Sequence, residues 1–109
     1  MWWHRAYIDN PMRVVFRDAR LAVIRTDAAA QTGLPIGVIK SCQKKLVLLD
    51  AAPDERTLRN WKSFHYEKLK GDREGQRSIR LNDQWRLLFT LDETTQPPTI
   101  EIISVDDYH

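Results

Sequence analysis

Residues 84–91 of this chain read Gln-Trp-Arg-Leu-Leu-Phe-Thr-Leu. Trp85, Leu87, Phe89 and Leu91 recur at every second position, with Arg86, Leu88 and Thr90 between them. Side chains that alternate at period two belong to a β-strand, and an apolar set this continuous has to be buried. The strand therefore demands a sheet with one packed face. A core behind Trp85 and Phe89 aims Arg86 at solvent on the other. A shorter alternation precedes it over residues 76–81, with Arg77, Ile79 and Leu81 against Ser78 and Arg80. Asn82-Asp83 between the two predicts a two-residue hairpin loop of the type that tolerates positive φ.

The rest of the chain supplies what covers that sheet. Met12-Arg-Val-Val-Phe-Arg predicts a short strand, with Val14 and Phe16 on one face and Val15 on the other. Asp18 is placed to cap a first helix over about residues 19–25. Gln31-Thr-Gly-Leu-Pro35 interrupts it. Ile36, Ile39, Cys42, Leu46 and Leu49 then recur at helical steps and predict a second helix to about Ala51, ended by Pro53. Its Lys40, Lys44 and Lys45 read as a solvated face, with phosphate contact as the alternative. Residues 54–63 read as a polar link anchored by Trp61. Phe64-His-Tyr-Glu-Lys-Leu69 alternates as a strand, Gly71-Asp-Arg-Glu-Gly75 is a turn, residues 93–98 are a loop and residues 99–105 a last strand.

The order β-α-α-β-β-β-β predicts an α+β fold, with two N-terminal helices packed on one face of an antiparallel-rich sheet. The 109 residues predict one domain, large enough to bury a core without staples. Residues 1–11, with Trp2 and Trp3, stand apart as an N-terminal extension. They read as an added strand, an interaction patch or a start-site extension.

Charge is unevenly spread. Residues 56–91 hold nine Lys/Arg against four Asp/Glu, whereas residues 92–109 hold five Asp/Glu and no Lys or Arg. A basic block of this kind attracts phosphate. The single cysteine, Cys42, lies in the apolar helical pattern, so it reads as a small buried hydrophobe and no internal disulfide is available. No apolar run is long enough to span a membrane, and the N-terminus lacks a signal-peptide core; a soluble cytoplasmic protein is expected.

The histidines at 4, 65 and 109 have no metal-ligand spacing, and no phosphate-binding glycine loop or nucleophile elbow is present. Neither a metal nor another cofactor is therefore expected. RNA can be cut without a metal because its own 2′-hydroxyl attacks the adjacent phosphate. The protein must then move protons and neutralise the phosphorane. Candidate acid–bases are His65, Glu67, Asp107, Tyr108 and His109. Candidate charge stabilisers are Lys70, Arg77, Arg80 and Arg86, since an arginine fork matches phosphate oxygens. Each has a plainer reading: Arg86 salt-bridged, His65 structural, Lys70 on soluble surface, the last residues frayed. Taken singly they support only a small basic α+β domain suited to nucleic acid.

Three segments in order change that. Leu69-Lys-Gly-Asp-Arg-Glu-Gly75, Asn82-Asp-Gln-Trp-Arg86 and the terminal Asp107-Tyr-His109 resemble the HigB-type toxins of the RelE/ParE superfamily. The segment from Met12 to Leu21 resembles the same family's opening strand and helix, so the resemblance covers about residues 12–109. It implies a bacterial type II toxin with a microbial-RNase-like fold that cleaves mRNA in the ribosomal A site without metal. It also implies a helix-turn-helix antitoxin of HigA type as partner, besides the ribosome and mRNA. The resemblance puts Lys70 and Arg86 on the scissile phosphate, protons on Asp107 or His109, and Tyr108 against the substrate. Arg73, Arg77 and Arg80 are expected to track the RNA backbone. There is one departure. The family's histidine three residues before the motif lysine is Glu67 here, and His65 shares a face with it if the segment is a strand.

Two competing readings use the same surface. A ParE-type toxin would inhibit DNA gyrase, which needs no acid–base residues. A non-enzymatic module would bind nucleic acid or a partner protein through the basic sheet.

Overall fold

A computed structural model describes residues 11–108. The first strand, β1, is Arg13–Phe16. A one-turn helix α1, Ala19–Ala22, follows, and Asp18 caps it by accepting the Arg20 backbone N–H. Two 3-10 turns, Val23–Arg25 and Ala29–Thr32, lead to Gly33, whose φ of 77° reverses the chain. Helix α2, Ile36–Ala51, is the long one. Helix α3 is Glu55–Asn60. Then come β2 (Glu67–Lys68), β3 (Gln76–Arg80), β4 (Trp85–Asp92) and β5 (Thr99–Asp107).

The strands form one sheet in the order β1-β5-β4-β3-β2. β1 runs parallel to β5, and every other pair is antiparallel. The α+β architecture is thus as expected. The core lies between the helices and one sheet face, where Ile24, Val38, Cys42, Leu46, Leu49, Leu58 and Phe64 meet Ile79, Leu87, Phe89, Ile100 and Ile102.

Several local expectations are corrected. The buried stripe of α2 begins at Val38, and Ile36 is 66% exposed. Val38, Cys42, Leu46 and Leu49 stack at steps of four, four and three, which carries the stripe past Ile36. The supposed polar link contains α3. Asp54 caps it by accepting from the Thr57 N–H at 2.9 Å, and Leu58 is fully buried. The strand expected over residues 64–69 shrinks to Glu67–Lys68, because residues 62–64 close a 3-10 turn and His65 is left-handed at φ 44°. The last strand runs two residues further than expected, to Asp107.

The hairpin is also different, and the reason lies in parity. Leu81 pairs with Trp85, leaving residues 82–84 as the loop, and neither Asn82 nor Asp83 has a positive φ. A two-residue loop would set Ile79 opposite Arg86 and turn one strand's apolar face outward. The three-residue loop sets Ile79 opposite Leu87 and Arg80 opposite Arg86. The Asn82 side chain accepts from the Gln84 and Trp85 N–H groups and holds the bend.

Strand β5 has a comparable adjustment. Its apolar residues Ile100, Ile102 and Val105 break period two. A register shift opposite Leu88/Phe89 absorbs the extra residue, pairing Ile102 with Phe89 and Ser104 with Leu88. Val105 thereby stays on the packed face, and Asp106 lands opposite Arg86.

Candidate functional site on the open sheet face

Register lays three rows of side chains across the face turned away from the helices. One is Arg80–Arg86–Asp106. The next is Glu67–Ser78–Leu88–Ser104, and the third is Gln76–Thr90–Glu101. The face is not wholly polar, since Leu88 is buried within it. Ser78, beside Leu88, is the buried polar residue of the described chain.

Arg80 and Arg86 face each other directly, an arrangement that costs energy unless each cation has its own partners. Arg80 pairs with Asp83, donates to the Asn82 carbonyl at 3.2 Å and reaches His65 Nε2 at 3.4 Å. Guanidinium can only donate, so this contact uses an unprotonated Nε2. Arg86 donates from Nε to Ser78 Oγ at 2.8 Å and from Nη2 to the carbonyl oxygen of His65. His65 therefore touches both arginines, one through its ring and one through its backbone. Its neighbours hold it there: Phe64 is in the core, and Tyr66 is anchored on the helix side by Glu55 and Arg77.

The turn between β2 and β3 closes over the same face. Gly71 and Gly75 have φ of 65° and 93°, a region closed to most side chains, and they bracket the reversal. Arg73 Nη1 reaches Asp106 Oδ2 at 3.1 Å and Tyr108 Oη at 3.4 Å. Strand β4 lies between β3 and β5, so the guanidinium passes over the sheet. The bond to Asp106 raises the Arg73 pKa above its ordinary value. Lys70 precedes this turn and is exposed.

The sequence-derived candidates thus separate into groups. His65, Arg80 and Arg86 converge. Arg73 reaches both Tyr108 and Asp106, the latter across the ladder from Arg86. Glu67 is exposed on the same face, opposite Ser78. It shares no strand with His65, so the expected common face arises by another route. Asp107 lies opposite Trp85 and accepts from Gln84 Nε2 at 3.3 Å, on the packed side of the strand end. His109 lies outside the described residues, as do residues 1–10 with Trp2 and Trp3.

Arg77 does not share the open face. It pairs across the ladder with Phe89 and donates from Nε to Glu55 at 3.1 Å and to Tyr66 Oη at 2.9 Å. Burial alone would raise the Glu55 pKa, but the Tyr66 and Arg77 bonds outweigh it and hold the carboxyl below its ordinary value. Burial and then Glu55 push the Tyr66 phenol upward. Arg77 is thus a structural cation, and its place in the basic block gave no hint of it.

Ser78 and Asp106 were missed as contributors. The alternation already put Ser78 beside Arg80. Only the strand register reveals that Arg86 rests on it. Among the described residues no group of His, Cys, Asp and Glu side chains could hold a metal ion, and no helix is long and apolar enough to cross a membrane.

Residues 14–103 match the family described as RelE-like toxin of type II toxin-antitoxin system HigB. Toxin HigB-1 of Vibrio cholerae serotype O1 (strain ATCC 39315 / El Tor Inaba N16961) is 35% identical over 78 residues, covering 72% of this chain and 82% of that protein. The fold is similar to that of the YoeB/ParE toxin from Agrobacterium tumefaciens, with a TM-score of 0.55 at 16% identity over 90% of this chain and 100% of that one. It is also similar to a chain of the E. coli DinJ-YafQ toxin-antitoxin complex, with a TM-score of 0.56 at 12% identity over 88% of this chain and 91% of that one. The extent of the family match and the identity to a HigB toxin show that the chain belongs to the HigB-like, RelE-related toxins of type II toxin–antitoxin systems.

Proposed function

We propose that this toxin is a ribosome-dependent mRNA endonuclease that works by acid–base chemistry on the RNA 2′-hydroxyl. The observation that carries the reading is the convergence of Arg80, Arg86 and His65 at one end of the open face, with Asp106 and Tyr108 on the adjoining strand end. Two arginines opposed across a ladder make sense where a dianionic group is to be held between them.

In this reading a base removes the 2′-hydroxyl proton and the 2′-oxygen attacks the adjacent phosphorus. Arg86, Arg80 and Lys70 neutralise the phosphorane. The bond to the 5′-oxygen then breaks, and that oxygen takes a proton from an acid, leaving a cyclic phosphate. His65, Glu67, Asp107, Tyr108 and His109 are the proton-transfer candidates, and Tyr108 also offers a ring for base stacking. Arg73 follows the RNA backbone, whereas Arg80, opposite Arg86 on the ladder, serves the reacting phosphate. Arg77 is left out of that set because Glu55 and Tyr66 hold it on the helix side. A HigA-type helix-turn-helix antitoxin neutralises the toxin, and both act in the cytoplasm.

A translating extract tests this. Primer extension on the mRNA should show toxin-dependent cuts that require ribosomes and vanish with Arg86→Ala. Intact mRNA together with gyrase-dependent DNA breaks would replace this reading with the ParE-type one. RNA binding with neither cleavage nor breaks would leave a binding module.

A further inference from the structure

Among the described residues, Arg86 is held along one edge. Its Nε and Nη2 donate to Ser78 Oγ and to the His65 carbonyl, which together occupy the side of the guanidinium nearest the stem. The Nη1 hydrogens and the second Nη2 hydrogen have no partner among the described residues. Those remaining donors include the end-on fork that spans two phosphate oxygens.

Ser78 is fully buried, and its hydroxyl is the acceptor that fixes the stem side of the fork. Arg86 has strand neighbours on both sides, Arg80 on β3 and Asp106 on β5. Without Ser78 the guanidinium would be drawn toward the Asp106 carboxylate and away from Arg80.

We propose that Ser78 is a positioning residue: together with the His65 carbonyl it clamps the inner edge of Arg86, so that the outer edge is presented to the scissile phosphate. The His65 contact adds a condition, because the carbonyl reaches Arg86 from a residue whose backbone is left-handed. The clamp therefore also couples Arg86 to the loop that brings the His65 ring to Arg80. The inference rests on the nuclease reading for its phosphate, but the clamp itself does not.

The test is single-turnover cleavage of mRNA on programmed ribosomes by the full chain, with Ser78→Ala, Ser78→Thr, Arg86→Lys and the Ser78→Ala/Arg86→Lys pair. Ser78→Ala should slow cleavage about tenfold at unchanged half-saturation, because a loosened fork is misplaced rather than lost. Ser78→Thr, which keeps the hydroxyl, should recover most of the rate. Ser78→Ala should add nothing to Arg86→Lys, since lysine has no fork to clamp. A Ser78→Ala penalty of equal size in both backgrounds overturns the proposal.

In parallel, the Arg86 Nε–H resonance should be protected from exchange with water in the wild type and exposed in Ser78→Ala. If the wild-type protein leaves RNA intact, the nuclease reading has failed and this second measurement decides the clamp. Equal exchange in both proteins overturns it.

Discussion

Arg80 and Arg86 stand directly opposite each other across the β3–β4 ladder, on the face of the sheet that the helices leave open. Proteins rarely keep like charges in that relation, and here each arginine is restrained by a separate set of acceptors. The pair gives the first prediction. Arg80→Gln should leave thermal stability unchanged or raise it slightly, by up to about 0.5 kcal/mol, through relief of repulsion. The same variant should lower RNA cleavage and flatten its dependence on salt. Thermal melts and a salt series of cleavage rates check both halves. A large loss of stability would show that Arg80 is a structural cation like Arg77.

Acid should act through Glu55. Its side chain is 14% exposed and bonded to Tyr66 and Arg77, whose own side chain is 15% exposed. The folded carboxyl has a pKa below its ordinary 4.5, so the unfolded chain takes up that proton first as pH falls. This contribution is fully present above pH 4.5 and is lost as pH drops through the folded value. Glu55→Gln should destabilise at neutral pH by about 2 kcal/mol, since it weakens the partner of a largely buried arginine. It should also flatten the acid limb of stability against pH. Denaturant titrations at neutral pH and below pH 4.5 compare the two proteins.

The α3 cap offers a test confined to stability. Asp54 accepts from both the backbone N–H and the hydroxyl of Thr57, which hold its carboxyl below the ordinary range. Asp54→Ala should cost about 1 kcal/mol in a denaturant titration. Cleavage by the folded fraction should be unaffected, because α3 lies behind the sheet.

Cys42 should be chemically silent. It is fully buried, and burial pushes its thiol up to about 12. A thiol-specific reagent at neutral pH should label it only as fast as the protein unfolds. Rapid labelling of native protein would mean that the core opens beside α2.

The sequence by itself determined the class of fold, because period two and period 3.6 are local and leave little choice. The alternation through Trp85, Leu87 and Phe89 required a sheet packed on one face. The stripe through Ile39, Cys42, Leu46 and Leu49 required a helix against it. Even the three-residue hairpin was implicit, since only an odd loop lets Ile79 and Leu87 share a face.

The tertiary structure alone decided which charges meet. Arg77 and Arg80 are equivalent in composition, yet strand parity sends one to Glu55 behind the sheet and the other to Arg86 in front. The register shift in β5 set Asp106 opposite Arg86 and placed Asp107 on the packed side. His65 reached both arginines through a left-handed turn that no alternation announces. A candidate site assembled from four distant segments depends on register and on one unusual backbone angle. Both are properties of the folded sheet and of no single stretch of residues.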